Sequence, residues 1–293
     1  MKDFLLKNIL PSKKKIFDYE WMIKNTSQTE WIEKQGVYLW LAFFFSEIGA
    51  GLYFIAMLLN NRPCMVIGWL ITLCVGGGVH MAYLGNPKRA WRILMKPKTS
   101  ELSRGVWIIV IFAVFGFFQM AVGGGIFMKV IMGIISILLI MHGFATMNVM
   151  KSIPSWSSTM IIPLSIISGI WVGSQIFQLL LGISGGNIAQ MEVWSIVFLL
   201  VYIASFILYL WSTAHSSEIA KLSIIELIAG DFSRIFIIGV IVIGMVVPIL
   251  ITIIQAGSSV AGGWIFIRLL FVLVGDLVMR YSLMKIGFYR PLI

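Results

Sequence analysis

The sequence predicts an all-α integral membrane protein of eight transmembrane helices, grouped as two four-helix bundles. Three observations lead there. Of 293 residues, 59% are hydrophobic and 12% charged, against roughly 25% charged in an average soluble domain. The apolar residues come in continuous runs that meet the requirement of a bilayer, about 20 per helix. The runs MVIGWLITLC and IFIIGVIVIGMVVPILITII also lack the alternation that a membrane barrel strand shows over about ten residues. A soluble fold is excluded, because 34 Lys, Arg, Asp and Glu side chains cannot clothe a core this large. Cys64 and Cys74 lie in or beside an apolar run and read as small hydrophobes, which excludes a disulfide scaffold.

Residues 1–35 are a basic, amphipathic arm with seven lysines, five acids, and Trp21 and Trp31 interleaved. The apolar run before Pro11 is short and broken by Lys7, so it is not a cleavable signal. The arm reads as an interfacial segment or as a partner contact. The transmembrane domain, 36–284, places its spans at 36–59, 64–84, 105–122, 126–148, 157–182, 192–213, 235–255 and 261–284. Gly123-Gly124-Gly125 separates the third span from the fourth, and Pro163 and Pro248 interrupt the fifth and seventh. Two connections, 85–104 and 214–234, are long and amphipathic, and the others are short and nearly uncharged; a tail, 285–293, closes the chain.

The net charge of +10 is unevenly placed. With eight spans, nineteen of the 22 basic residues fall on the face that holds both termini and the loops after spans two, four and six. Only Arg62, Lys129 and Arg268 lie elsewhere. The positive-inside rule then puts both termini in the cytoplasm, and nucleic acid is not an expected partner.

Ionisable side chains inside a bilayer cost about 2.5–3.5 kcal/mol on insertion scales and usually face the bundle interior. Glu47 stands mid-span, followed by Gly49, Ala50 and Gly51, which let another helix approach and supply a partner. It is either protonated glue or a proton-relay or ligand group. In span eight, Asp276 and Arg280 are four apart on one face and Arg268 lies two turns earlier. This row is either a self-neutralising packing network or part of a proton pathway, and Arg280 is near enough to the helix end to snorkel. His80 and His142 fall at similar depth in the half of the membrane nearer the basic face, and His215 lies just past span six. The first two suit a haem between helices, a quinone hydrogen bond, or a structural role. Soluble-enzyme signatures, such as a phosphate loop, CxxC or a metal-spaced carboxylate set, are missing, and Gly76-Gly77-Gly78 lies within a span as a packing element.

The run YLGNPKRAWRILMKPKTSELSRGVW, Tyr83 to Trp107, resembles the LG-x-P…W-R…P-x-T-S…S-R-G-x-W loop of the polysulfide-reductase membrane subunit family (NrfD/PsrC type), related to dimethyl sulfoxide reductase membrane anchors. FFFSEIGAGLYFIAMLL is similar to that family's glycine-rich first helix, and GDLVMRYSLMKIGFYRPL to its closing segment. The resemblance touches both ends and the first two loops, and the centre agrees by hydropathy.

The resemblance implies a quinone-reactive anchor, taking menaquinone or ubiquinone, without haem or metal, in a prokaryotic cytoplasmic membrane. Its implied partners, besides lipid, are a ferredoxin-like iron–sulfur subunit and a molybdopterin-type catalytic subunit. The expected role is electron exchange between the quinone pool and the iron–sulfur subunit. Some members carry His and Asn at the start of the first span; here that stretch reads Gln35-Gly36-Val37-Tyr38-Leu39-Trp40. Under this reading His80 or His142 bonds the quinone, Tyr38 and Trp107 wall the slot, and Arg104 adds positive potential. Glu47 and Asp276, with Arg268, form the proton pathway, and the 85–104 loop docks the partner. The competing readings are an ion-coupled secondary transporter using Glu47 and the Asp276 row, and a haem b anchor with His80 and His142 as ligands.

Overall fold

The computed structural model describes residues 29–256 and 261–289, and every regular element among them is helical. The basic arm over 1–28 and the end of the tail, 290–293, lie outside the described residues. Eight long helices follow one another: α1 (Gly36–Leu58), α2 (Arg62–Tyr83), α3 (Glu101–Val122), α4 (Gly125–Asn148), α5 (Ile161–Ile183), α6 (Ala189–Ser216), α7 (Ser233–Gln255) and α8 (Ala261–Lys285). The first seven are long and apolar enough to cross a membrane, which makes the chain a multi-pass membrane protein. Helix α8 is as long, and it carries Arg268, Asp276 and Arg280.

Several boundaries have a local cause. Asn61 caps α2 by accepting from the Cys64 amide at 3.1 Å, with Pro63 in the first turn, where its missing N–H costs nothing. Ser100 caps α3, which therefore begins a turn earlier than hydropathy suggests and takes Arg104 into the helix. Helix α6 runs on to Ser216, so His215 lies in its last turn, 2.8 Å from the Trp211 carbonyl, and not beyond it. Gly123, Gly124 and Gly125 turn the chain from α3 to α4 with φ of 95°, 109° and 57°, a path that suits glycine alone. The two prolines leave the helices unbroken. Pro163 sits in the first turn of α5, and Pro248 follows the π-helical stretch Phe236–Val246, whose wider turns absorb its missing donor.

Helices α1–α4 and α5–α8 form two halves, and α1, α4, α5 and α8 meet along the seam between them. Helix α1 is the hub: 78% of its apolar window is buried, against 28% for α2, α3 and α6. Small residues set its crossings. A Cβ on Gly49 would overlap α2 at Gly68 and Thr72, and one on Gly51 would land on the Gly169 backbone of α5. Outward faces stay apolar, with Phe117, Ile126, Phe127, Trp211 and Ile253 all more than 60% exposed, a surface that only lipid tolerates.

The long connections are ordered. Residues Pro87–Met95 form a 3₁₀ helix, and Glu218–Ala229 an α-helix capped by Ser217. The turn between α4 and α5 buries Ile153, Ser155, Trp156 and Ser158: Tyr209 donates to the Ser155 carbonyl, and Trp156 donates to the Leu283 carbonyl while packing edge-on against Trp31 at 5.3 Å.

Candidate functional site

Three polar groups lie inside the helices. The first is at the seam. Arg280 of α8 donates from Nη1 to Glu47 Oε2 of α1 at 2.5 Å and from Nε to Asp276 Oδ2 at 3.0 Å. Ser168 of α5 donates to Asp276 Oδ1 and lies 3.5 Å from Arg280 Nη2. The guanidinium is sandwiched by Phe44 and Phe144, with ring centres 5.7 and 5.2 Å away. Glu47, Asp276 and Arg280 are each at most 3% exposed. Arg280 therefore does not snorkel; the cost of leaving its carboxylate partners buried alone holds it inside.

Local geometry explains the convergence. The i, i+4 spacing brings Asp276 to Arg280, and the glycines of α1 and α5 bring the backbones close enough for Glu47 to cross the seam. Gly169 leaves room for the Glu47 side chain, since a Cβ there would stand 3.0 Å from its Cγ. Two carboxylates face one guanidinium, and Glu47 Oε1 is buried with no hydrogen-bond partner among the described residues.

Arg268 does not join this row. It donates to Gln178 of α5 and, at 3.1 Å, to Thr252 of α7, while Glu192 of α6 accepts from Gln255. These residues form a second polar set toward the opposite ends of α5–α8.

The third group is at the basic end of the first half. His80 (α2) and His142 (α4) both meet the Phe43 ring of α1 edge-on, at 5.4 and 5.9 Å between ring centres. His80 Nδ1 lies 3.2 Å from the Gly76 carbonyl, which can only accept, so Nδ1 carries a proton and, in the neutral ring, Nε2 offers a lone pair. His142 fills a notch in α3: a Cβ on Gly105 would overlap its imidazole Nε2. A cavity of about 380 Å³ opens one turn beyond His80, lined by Glu33 to Gly36 and Tyr83 to Gly85.

The other expected site residues are placed elsewhere. Arg104 bonds the Pro97 and Lys98 carbonyls and Glu101, Trp107 bonds the Leu94 carbonyl at 3.0 Å, and Ser103 bonds that of Ile93. In the S-R-G-x-W stretch, then, Ser, Arg and Trp fasten the 85–104 loop to α3, and Gly105 makes room for His142. Tyr38 is exposed in the first turn of α1. Phe43, Gly105 and Ser168 were not legible as site residues; a lone Phe, Gly or Ser in an apolar run carries no periodic or charge signal. A comparison with protein-family models and with curated proteins finds no match to this chain.

Proposed function

We propose that this chain is the quinone-reactive membrane subunit of a multi-subunit respiratory oxidoreductase, exchanging electrons with an iron–sulfur partner docked on the 85–104 loop. The observation that carries the reading is the convergence of His80 and His142 on Phe43 beside an open cavity, beneath the loop whose motif resembles the polysulfide-reductase membrane subunits. The cavity, lined by Tyr83 to Gly85 one turn along α2 from His80, and the acceptor offered by His80 Nε2 support a quinone site at this end. When bound, a quinone supplies two-electron, two-proton chemistry. His80 Nε2 would accept the hydroxyl proton of the reduced form, and Glu47 Oε1 would hold a proton at the seam.

The same reading makes α8 an eighth span. The charges that set it apart from the other seven are those buried and bonded inside the bundle, so lipid does not meet them. The basic end then faces the cytoplasm.

The test is turnover of a menaquinol analogue by the assembled complex. His80→Ala is expected to abolish quinol-linked turnover while the subunits still co-purify; unchanged turnover overturns the assignment. A reduced-minus-oxidised spectrum showing a haem band would overturn it in favour of the bis-histidine haem reading. Ion-coupled solute uptake in proteoliposomes would favour a carrier.

A further inference from the structure

The end of the bundle opposite the basic loops is almost free of cations. Among the described residues its loops and helix ends hold only Arg62 and Lys129, and both line one cavity of about 520 Å³. The cavity lies where the C-terminal ends of α1 and α3 meet the beginnings of α2 and α4. Lys129 is steered into place by Asn60, whose φ of 53° turns the chain out of α1 and whose side-chain oxygen accepts from the lysine. Neither cation forms an ion pair among the described residues. Unneutralised positive charge gathered from separate helices into one concavity calls for an anion.

The rest of the lining states which kind. Met57, Met65 and Met120 form an apolar wall, and Val122 and Ile126 at the rim are 68% and 77% exposed, continuous with the lipid-facing surface of Phe117, Phe118 and Phe127. A small soluble anion has no use for such a wall, whereas a phospholipid places its phosphate at the cations and its acyl chain along the wall. We propose that this cavity binds the phosphate of an anionic phospholipid in the leaflet opposite the basic face, tying the α1–α2 and α3–α4 turns together. The assignment is independent of the quinone reading.

The test uses the full-length protein in nanodiscs with phosphatidylglycerol carrying a photoactivatable acyl chain, and crosslinks mapped by mass spectrometry. Labelling is expected at Met57, Met65 or Met120. Each cation near an anionic headgroup supports about a fivefold preference, so R62Q/K129Q is expected to cut that labelling on the order of thirtyfold. Labelling on the 85–104 loop should be unchanged and serves as the internal standard. If the double variant assembles poorly, R62Q alone is expected to show the fivefold loss, because Arg62 is exposed. Equal labelling by photoactivatable phosphatidylcholine, or labelling unchanged in the variants, overturns the proposal. Loss of labelling under excess inorganic phosphate would show that any phosphate suffices, and overturns the lipid assignment.

Discussion

Replacing Arg280 with methionine removes the one cation that two buried carboxylates share. Glu47 Oε2 and Asp276 Oδ2 stand 2.5 and 3.0 Å from it, and no residue of the three is more than 3% exposed. Two like charges about 4 Å apart repel by about 4 kcal/mol at an effective dielectric constant near 20. Protonation of one carboxyl caps that cost, and breaking a buried pair typically costs about 3–5 kcal/mol. At about 2–4 °C per kcal/mol, the apparent melting temperature of R280M should fall by about 10 °C. The assay is thermal unfolding of the purified protein at one fixed scan rate, because unfolding of a membrane protein is judged by rate. The triple variant E47M/D276L/R280M, which leaves no charge behind, should recover most of the loss. By contrast K285M, which breaks the pair to a 45%-exposed Glu33, should change stability by less than about 1 kcal/mol. If R280M melts within about 2 °C of the parent, or the triple variant melts as low as R280M, the network does not hold the seam.

Two further variants probe other parts of the fold. Gly105→Ala drives a methyl group into the His142 imidazole and is expected to slow quinol turnover by about a hundredfold with subunit assembly intact; unchanged turnover would detach His142 from the site. Tyr53→Phe deletes a 2.6 Å hydrogen bond to buried Gln119 and should lower stability by about 1–2 kcal/mol, read as a fall in the same unfolding midpoint; an unchanged midpoint would mean that Gln119 finds another partner.

The helices were legible because hydropathy is a local sum. The seven apolar helices lie within about four residues of the expected spans, and the shift at α3 has a capping cause that hydropathy does not see, Ser100. The small residues after Glu47 were read as an invitation to close approach, and that is how they act, against Gly68 and Gly169. Arg280 was the misread residue. Its distance from the helix end allowed snorkelling, and only the packing of α1 against α5 shows that a carboxylate waits on the inner side. Arg104 and Trp107 were legible as a motif, and their hydrogen bonds to carbonyls of the 85–104 loop were not.

By itself, the sequence determined a multi-pass helical membrane protein with its charge gathered at one end, because the cost of burying a helix in lipid depends on the twenty or so residues it contains. Only the tertiary structure decided which ionisable groups meet. Glu47 finds Arg280 across 233 residues, while Arg268, on the same helix as Asp276, goes to Gln178 and Thr252 instead. The physical reason is that the partner of a buried charge depends on the rotation and stagger of separate helices. Those are set by backbone contacts at glycines far apart in the chain, and no local sum contains them.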